Sequence, residues 1–347
     1  MVTSLFRRTS LNSSHFLNAS KAVCRSISCR IIPPAQHLFR LQILASPKVL
    51  FRRLQTSATR MSPAAILDHS TTGTLIYSIP PADGSKPFVN INSSASGTRD
   101  TNIGVNPVNV KINNIRTTST PIGIDVTGFD VQTVPSPFSQ NHENFLNEEK
   151  IQSEYYDEIR AALLKATGAK EVFIFDHTIR RRVPGVTDDN PTKRQPVARV
   201  HVDQTTIAAF NRVKRHLGDR ADELLKNRFQ LINVWRPIQH AASDHPLAVG
   251  SYKSIQKKDL LATTLVYPPP LPNGETYSVA HDPSHEWYYV KDMTIDEIMF
   301  IKCFDTEGLK EDSGVALLTP HTAFEDPNTP VDAPLRQSIE VRCLVFF

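Results

Sequence analysis

From residue 170 onward the chain is a succession of short apolar runs, each cut off by Pro, Gly, Asn or Asp. The runs cover 171–177 (Glu-Val-Phe-Ile-Phe-Asp-His), 198–203, 228–238, 260–267, 275–280, 285–290, 298–304, 314–319 and 338–346. They are rich in Val, Ile, Phe, Tyr and Trp, the side chains that suit a pleated, half-buried surface. Many short strands separated by turn residues must close against one another as a sandwich or barrel. The fold class expected is therefore mainly β, a jelly roll of two facing sheets with an open mouth and a few flanking helices. One further strand is expected at 71–79, ended by Pro80-Pro81. Residues 82–122, rich in Asn, Ser, Thr and Gly, read as loops and short strands, and 123–140 continue them with Pro135 and Pro137 as breakers.

Two segments change period. From Asn147 to Gly168, Ile151, Tyr155, Ile159, Leu163 and Leu164 recur every three to four residues, with Asn147 placed to cap and Gly168 to stop a helix. Thr205 to Leu225 also reads as a helix, with Ile207, Phe210, Val213 and Leu217 on one face. The first is expected to pack on the outside of a sheet and carry no chemistry.

Charge divides the chain. Residues 1–60 hold ten Lys or Arg, and the first acid is Asp68. The remainder holds 29 basic and 35 acidic side chains, a mildly acidic body that argues against nucleic-acid binding. The leader, rich in Ser and Arg and free of acids, has the composition of a mitochondrial transit peptide; a disordered tail, or an extension upstream of a true start at Met61, are the alternatives. The expected division is a leader at 1–60 and one folded domain at 61–347. The location is mitochondrial if the leader is a transit peptide and cytoplasmic otherwise. The four Cys (Cys24, Cys29, Cys303, Cys343) form neither a disulfide framework nor a thiolate metal site. No apolar run is long enough to span a bilayer.

Ala198-Arg199-Val200-His201-Val202-Asp203 ends as a strand in His-x-Asp. Side chains two residues apart leave a strand on the same face, so an imidazole and a carboxylate stand side by side. Of the 12 His, His201 alone is followed two places later by an acid. A third ligand must return from a distant strand, and His321 in Leu317-Leu318-Thr319-Pro320-His321 is placed to do so. Two His and one carboxylate on one face of an octahedron are the ligand set of non-haem Fe(II) oxygenases, with three positions left for a chelating co-substrate and O₂. Competing roles exist: His201 or His321 as hydrogen-bonded structural residues, and Asp203 as the cap of the helix that follows. The loop His281-Asp282-Pro283-Ser284-His285-Glu286 is a rival metal site that Pro283 keeps from being helical.

A co-substrate that is a 2-oxo diacid needs a forked donor for its far carboxylate. Arg336 in Pro334-Leu335-Arg336-Gln337-Ser338 shares a strand face with Ser338, so guanidinium and hydroxyl reach one carboxylate together. Arg342 alternates onto that same face and competes; Lys302 is a more remote candidate. Glu340 reads as the partner of an Arg. Asn233 and Arg236 are expected to line or support the cavity, Trp235 to pack in the core, and at most one of Tyr288 and Tyr289 to enter the cavity.

His201-Val-Asp203, Asn233-Val-Trp235-Arg236-Pro237-Ile238, His285-Glu-Trp287-Tyr288-Tyr289, Phe300-Ile-Lys302-Cys-Phe304-Asp305, Thr319-Pro320-His321-Thr322 and Arg336-Gln-Ser338-Ile-Glu340-Val-Arg342 occur in that order. Over about residues 70–347 this resembles the fungal family that includes gibberellin desaturases and secondary-metabolite hydroxylases, related to the cephalosporin methoxylation proteins. The resemblance implies a double-stranded β-helix and an Fe(II)/2-oxoglutarate-dependent oxygenase that hydroxylates or desaturates a small molecule. It implies His201, Asp203 and His321 as metal ligands, and Arg336 with Ser338 as the 2-oxoglutarate site. The residues by themselves leave two other readings open: a cupin-type metal enzyme without 2-oxoglutarate, and a non-catalytic small-molecule-binding jelly roll.

Overall fold

The computed structural model describes residues 69–93, 99–186 and 194–347. The basic leader and residues 187–193 lie outside the described residues. In chain order the strands are β1 (Ser70–Ile79), β2 (Phe88–Ser93), β3 (Arg99–Thr101), β4 (Gly104–Asn114) and β5 (Phe129–Thr133). After the first helices come β6 (Glu171–Arg181), β7 (His201–Val202), β8 (Phe229–Pro237) and β9 (Leu247–Gly250). The last are β10 (Leu260–Val266), β11 (Gly274–Val279), β12 (Trp287–Tyr289), β13 (Glu297–Asp305), β14 (His321–Ala323) and β15 (Gln337–Phe346). They form a larger sheet, β1-β4-β12-β9-β14-β7-β11-β10-β2-β3, and a smaller one, β5-β13-β8-β15-β6.

The two sheets face each other. Trp235, Met299 and Ile301 of the smaller sheet pack against Leu247, Val249 and Tyr288 of the larger one in a single buried cluster. Period-two alternation along β8 explains how one strand serves two layers. Trp235 points between the sheets, whereas Ile232 and Val234 point outward onto the helical layer.

That layer starts where Asn147 Oδ1 accepts the Lys150 N–H at 3.0 Å. α1 (Glu148–Lys150) passes through a wider turn at Ile151–Tyr155 into α2 (Tyr156–Thr167). Gly168 stops the helix at φ 69°, a conformation that costs glycine little. Ile151, Tyr155, Ile159 and Leu163 bury against Ile339, Val341 and Val345, as the spacing predicts.

Several elements differ from expectation. The single helix expected over 205–225 is α3 (Thr206–Leu217) followed by α4 (Ala221–Leu224), because the chain leaves the helical region at Gly218, φ 49°. Ile207 stays in solvent while Val213 and Leu217 bury. Among the loops and short strands expected over 82–122, β4 is a long strand of 11 residues, paired with β1 from Ser70↔Asn113 to Ile79↔Gly104. Its alternating Val108, Val110 and Ile112 pack on the larger sheet's core and are masked in sequence by Asn109 and Lys111 between them. The strand expected at 314–319 does not form; the ladder starts at His321, immediately after Pro320, which has no N–H to contribute. Among the described residues no helix is long and apolar enough to cross a membrane.

Candidate metal centre

β7 lies between β14 and β11, and the pairing sets His201 directly opposite His321. Their ring centroids are 4.4 Å apart. Asp203 projects on the same side two residues later, its Oδ1 3.4 Å from His201 Nε2 and 3.9 Å from His321 Nε2. The three donor atoms all fall within 4.8 Å of one another. The helix cap that might have claimed Asp203 is taken by Thr205, whose Oγ1 accepts the Ala208 N–H at 3.1 Å.

Each imidazole is oriented by its other nitrogen. His201 Nδ1 lies 2.8 Å from the Arg199 carbonyl, and His321 Nδ1 lies 3.1 Å from the Thr319 carbonyl. A carbonyl only accepts, so both Nδ1 atoms carry a proton and both Nε2 atoms face the cluster, where a metal ion would take their lone pairs. Asn233 Nδ2 donates to Asp203 Oδ2 at 2.7 Å, which holds the carboxylate and leaves Oδ1 turned to the histidines. Burial alone would lower the His201 pKa, but the hydrogen bond and charge of Asp203 raise it. Burial and the neighbouring His201 push His321 down to about 4. Despite burial, His201 and His321 hold Asp203 well below the usual carboxylate range. Two neutral-imidazole nitrogens and one ionised oxygen, each with an outer partner, match Fe(II) in number, chemistry and orientation.

The same cavity takes side chains from the smaller sheet: Trp235 from β8, Arg180 from β6, Arg336 just before β15, and Glu340 and Arg342 on it. The Arg336 guanidinium is buried, lies over the Trp235 ring with its centre 5.5 Å from the centroid, and donates one N–H to the His245 carbonyl. Its Nε has no partner, and no described carboxylate lies within ion-pair distance of its guanidinium. Burial and the nearby Arg180 push its pKa down to about 9. Ser338 is buried and pairs in register with Arg180 of β6 and Pro237 of β8.

Arg342 borders the cavity but is committed elsewhere. The register places it opposite Asp176, and it donates to Asp176 Oδ1 at 2.6 Å and Thr178 Oγ1 at 3.0 Å. Glu340, expected to pair with an Arg, makes no hydrogen bond or ion pair to any described residue, because its nearest strand neighbour of opposite charge turns to β6.

Placement decides the remaining expectations, and it corrects that for Arg236. Arg236 leaves β8 on the face opposite Trp235, away from the cavity. It donates to the Ile295 and Val134 carbonyls at 2.9 and 3.0 Å and sits over the Tyr155 ring. Asn233, on the inner face, supports a ligand rather than lining the cavity. Trp235 packs in the core and also walls the cavity. Tyr288 and Tyr289 enter separate apolar clusters, and neither lines the cavity. Lys302 is fully buried in a polar network with Asp125, Asp305 and the Ala316 carbonyl. His285 Nε2 lies 3.1 Å from Asp259 Oδ2 and its Nδ1 3.3 Å from the Tyr77 hydroxyl, a hydrogen-bonded cluster with no set of three metal ligands.

Sequence reasoning missed Arg180, which donates to the Gln195 carbonyl at 2.7 Å; only the β6–β15 register brings it to the cavity. It also missed Gly128. This glycine has φ 93°, and a Cβ there would lie 2.2 Å from Thr319 Oγ1 and 2.8 Å from the Leu318 carbonyl oxygen. The close approach pins the segment whose Thr319 carbonyl orients His321.

Comparison with known proteins agrees with this geometry. Residues 75–346 match the family described as YDMC, oxidoreductase/YMDC permease-like domain. The hydroxylase/desaturase efuI of Hormonema carpetanum is 31% identical over 305 residues, 82% of this chain and 97% of that protein. The alpha-ketoglutarate-dependent dioxygenase tstK of Talaromyces stipitatus is 29% identical over 276 residues, 79% of this chain and 96% of that protein. Among solved structures, a variant of the iron and alpha-ketoglutarate-dependent endoperoxidase NvfI superposes with a TM-score of 0.69 at 25% identity, covering 80% of this chain and 98% of that one. With a family model over most of its length and a relative matched almost end to end, the chain belongs to this family of fungal hydroxylase/desaturases and Fe(II)/2-oxoglutarate-dependent dioxygenases.

Proposed function

We propose that His201, Asp203 and His321 hold the iron of this Fe(II)/2-oxoglutarate-dependent oxygenase, and that Arg336, helped by Ser338, holds the far carboxylate of 2-oxoglutarate. The enzyme hydroxylates or desaturates a small molecule of the secondary-metabolite kind. The observation that carries the site assignment is the buried Arg336 guanidinium, without a carboxylate partner, in the same cavity as the three converging donors. An unmatched cation buried beside metal ligands favours an anionic co-substrate, which a cupin-type enzyme without 2-oxoglutarate does not require.

Bound at this site, iron with 2-oxoglutarate and O₂ would supply the oxidising power for hydroxylation or desaturation of an unactivated carbon, with succinate and CO₂ as co-products. The chain's own residues supply geometry. The Arg199 and Thr319 carbonyls fix the two imidazoles, and Asn233 fixes Asp203. Trp235 and the His245 carbonyl hold the Arg336 fork in place. Val197, Leu247 and Ala323 form the apolar part of the wall and limit water.

The test is substitution of the three donors. His201→Ala, Asp203→Ala and His321→Ala each abolish Fe(II)-dependent succinate release while the fold survives. Combining them costs little more, since a site lacking one ligand is already broken. Turnover retained in His321→Ala, with His281 or His285 proving essential, would overturn the assignment.

A further inference from the structure

Glu340 is a charged side chain in the reaction cavity that the assigned roles leave unused. It stands between Ser338 and Arg342 on the inner face of β15, opposite Trp235 in register. It lines the cavity together with His201 and Asp203. The cations around it are engaged: Arg342 by Asp176 and Thr178, Arg336 by the His245 carbonyl, Arg180 by the Gln195 carbonyl. Arg116, Arg228 and Lys302, the cations of the buried ion pairs elsewhere, are bound to Glu297, Asp305 and Asp125 and are no partners for it.

Glu340 is half-buried in the cavity wall, and a carboxyl group drawn partly out of water with no protein hydrogen-bond partner gains when a ligand supplies the donor. Three arginines border the cavity, so a cationic ligand would meet repulsion, and a neutral hydroxyl or N–H is the donor that fits. We propose that Glu340 is a specificity-determining residue that accepts a hydrogen bond from a neutral hydroxyl or N–H of the substrate, close to the carbon that is oxidised. This rests on the placement of iron and 2-oxoglutarate proposed above. A site built around such an acceptor selects strongly against an analogue that lacks the donor, because its own polar group is then left unpaired.

The experiment uses the full chain, anaerobic, loaded with Fe(II) and 2-oxoglutarate. The probes are cyclohexanol against methoxycyclohexane, and 2-piperidone against N-methyl-2-piperidone. Binding is followed by calorimetry and by the shift of the visible Fe(II)–2-oxoglutarate absorption. In the unsubstituted protein the donor member of each pair binds about tenfold tighter or more, as one hydrogen bond to a charged acceptor provides. Glu340→Leu erases that preference. Glu340→Gln, which keeps an acceptor oxygen and nearly the same volume, retains part of it. Both variants bind iron and 2-oxoglutarate as before. If 2-oxoglutarate binds and neither donor probe is preferred over its methylated partner, the role of Glu340 is refuted and the site assignment stands. If either variant loses iron or 2-oxoglutarate, Glu340 serves those ligands and the proposal is also overturned. If the unsubstituted protein binds no 2-oxoglutarate, the site assignment itself falls.

Discussion

Arg336→Ala removes the guanidinium that the cavity buries without a carboxylate partner. Two losses follow, and they read out differently. For the iron-loaded protein, the far carboxylate of 2-oxoglutarate loses its fork, while Arg180 and Arg342 stay held by the Gln195 carbonyl and Asp176. Leaving one member of a buried charge pair unmatched costs roughly 3 kcal/mol or more, which at ~1.4 kcal/mol per tenfold is a hundredfold or greater loss of 2-oxoglutarate affinity. For the protein without ligands, the outcome is the opposite of that for an ordinary structural arginine. Burial and Arg180 already push the Arg336 pKa down to about 9, so its charge is unfavourably placed when nothing binds. Arg336→Met, which keeps contact with Trp235, therefore unfolds at or above the midpoint of the unsubstituted protein. Arg336→Lys recovers only part of the affinity, since an ammonium keeps the charge and loses the fork. Ser338→Ala costs about 1 kcal/mol, the value of one hydrogen bond. The assay is anaerobic titration of 2-oxoglutarate into the Fe(II) protein, followed by its visible absorption, with iron affinity measured separately and unchanged. A hundredfold loss in Arg342→Ala with near-normal binding in Arg336→Ala would refute the assignment and pass the role to Arg342. A marked fall in the unfolding midpoint of Arg336→Met would show that its guanidinium holds the fold together and would refute the argument from an unmatched charge.

Asn233→Leu strips Asp203 Oδ2 of its donor and weakens iron binding ten- to a hundredfold by competition with a chelating dye, whereas Arg236→Met, on the other face of β8, leaves iron affinity unchanged. Gly128→Ala forces a Cβ onto Thr319 Oγ1 at φ 93°, so it lowers stability by about 2 kcal/mol or more in urea unfolding and also weakens iron binding; unchanged stability would show that the 318–319 segment yields freely. We propose that the folded domain begins after the basic leader: a chain starting at Met61 unfolds at the same midpoint as the full chain, and import by isolated mitochondria decides whether residues 1–60 are a transit peptide, with a clear loss of stability on truncation counting against the boundary.

How much of the site was legible follows from the range of each physical constraint. His-x-Asp is local: period two by itself puts His201 and Asp203 on one face, whatever the rest of the chain does. The same rule joins Arg336, Ser338, Glu340 and Arg342, and it separates Asn233 from Arg236, although the rule alone is silent on which of those two faces the cavity. The helix at 147–168 was legible because its cap, apolar stripe and terminal glycine all act within a turn or two. The mainly β class was legible because short apolar runs between turn residues have few other ways to bury themselves.

Register, strand facing and close backbone approach depend on residues far apart in the chain, and only the tertiary structure decided them. Pairing His201 with His321 across β7 and β14 turned two distant imidazoles into one site. Pairing Arg342 with Asp176 across β15 and β6 committed the rival arginine to β6 and left Glu340 without its expected partner. Arg180 and Gly128 carry no local signature; each matters through what the fold sets beside it, Ser338 in one case and Thr319 in the other. Local periodicity determined which side chains travel together, and long-range pairing determined what they meet, because a strand's alternation is a property of its own backbone while its register is a property of two.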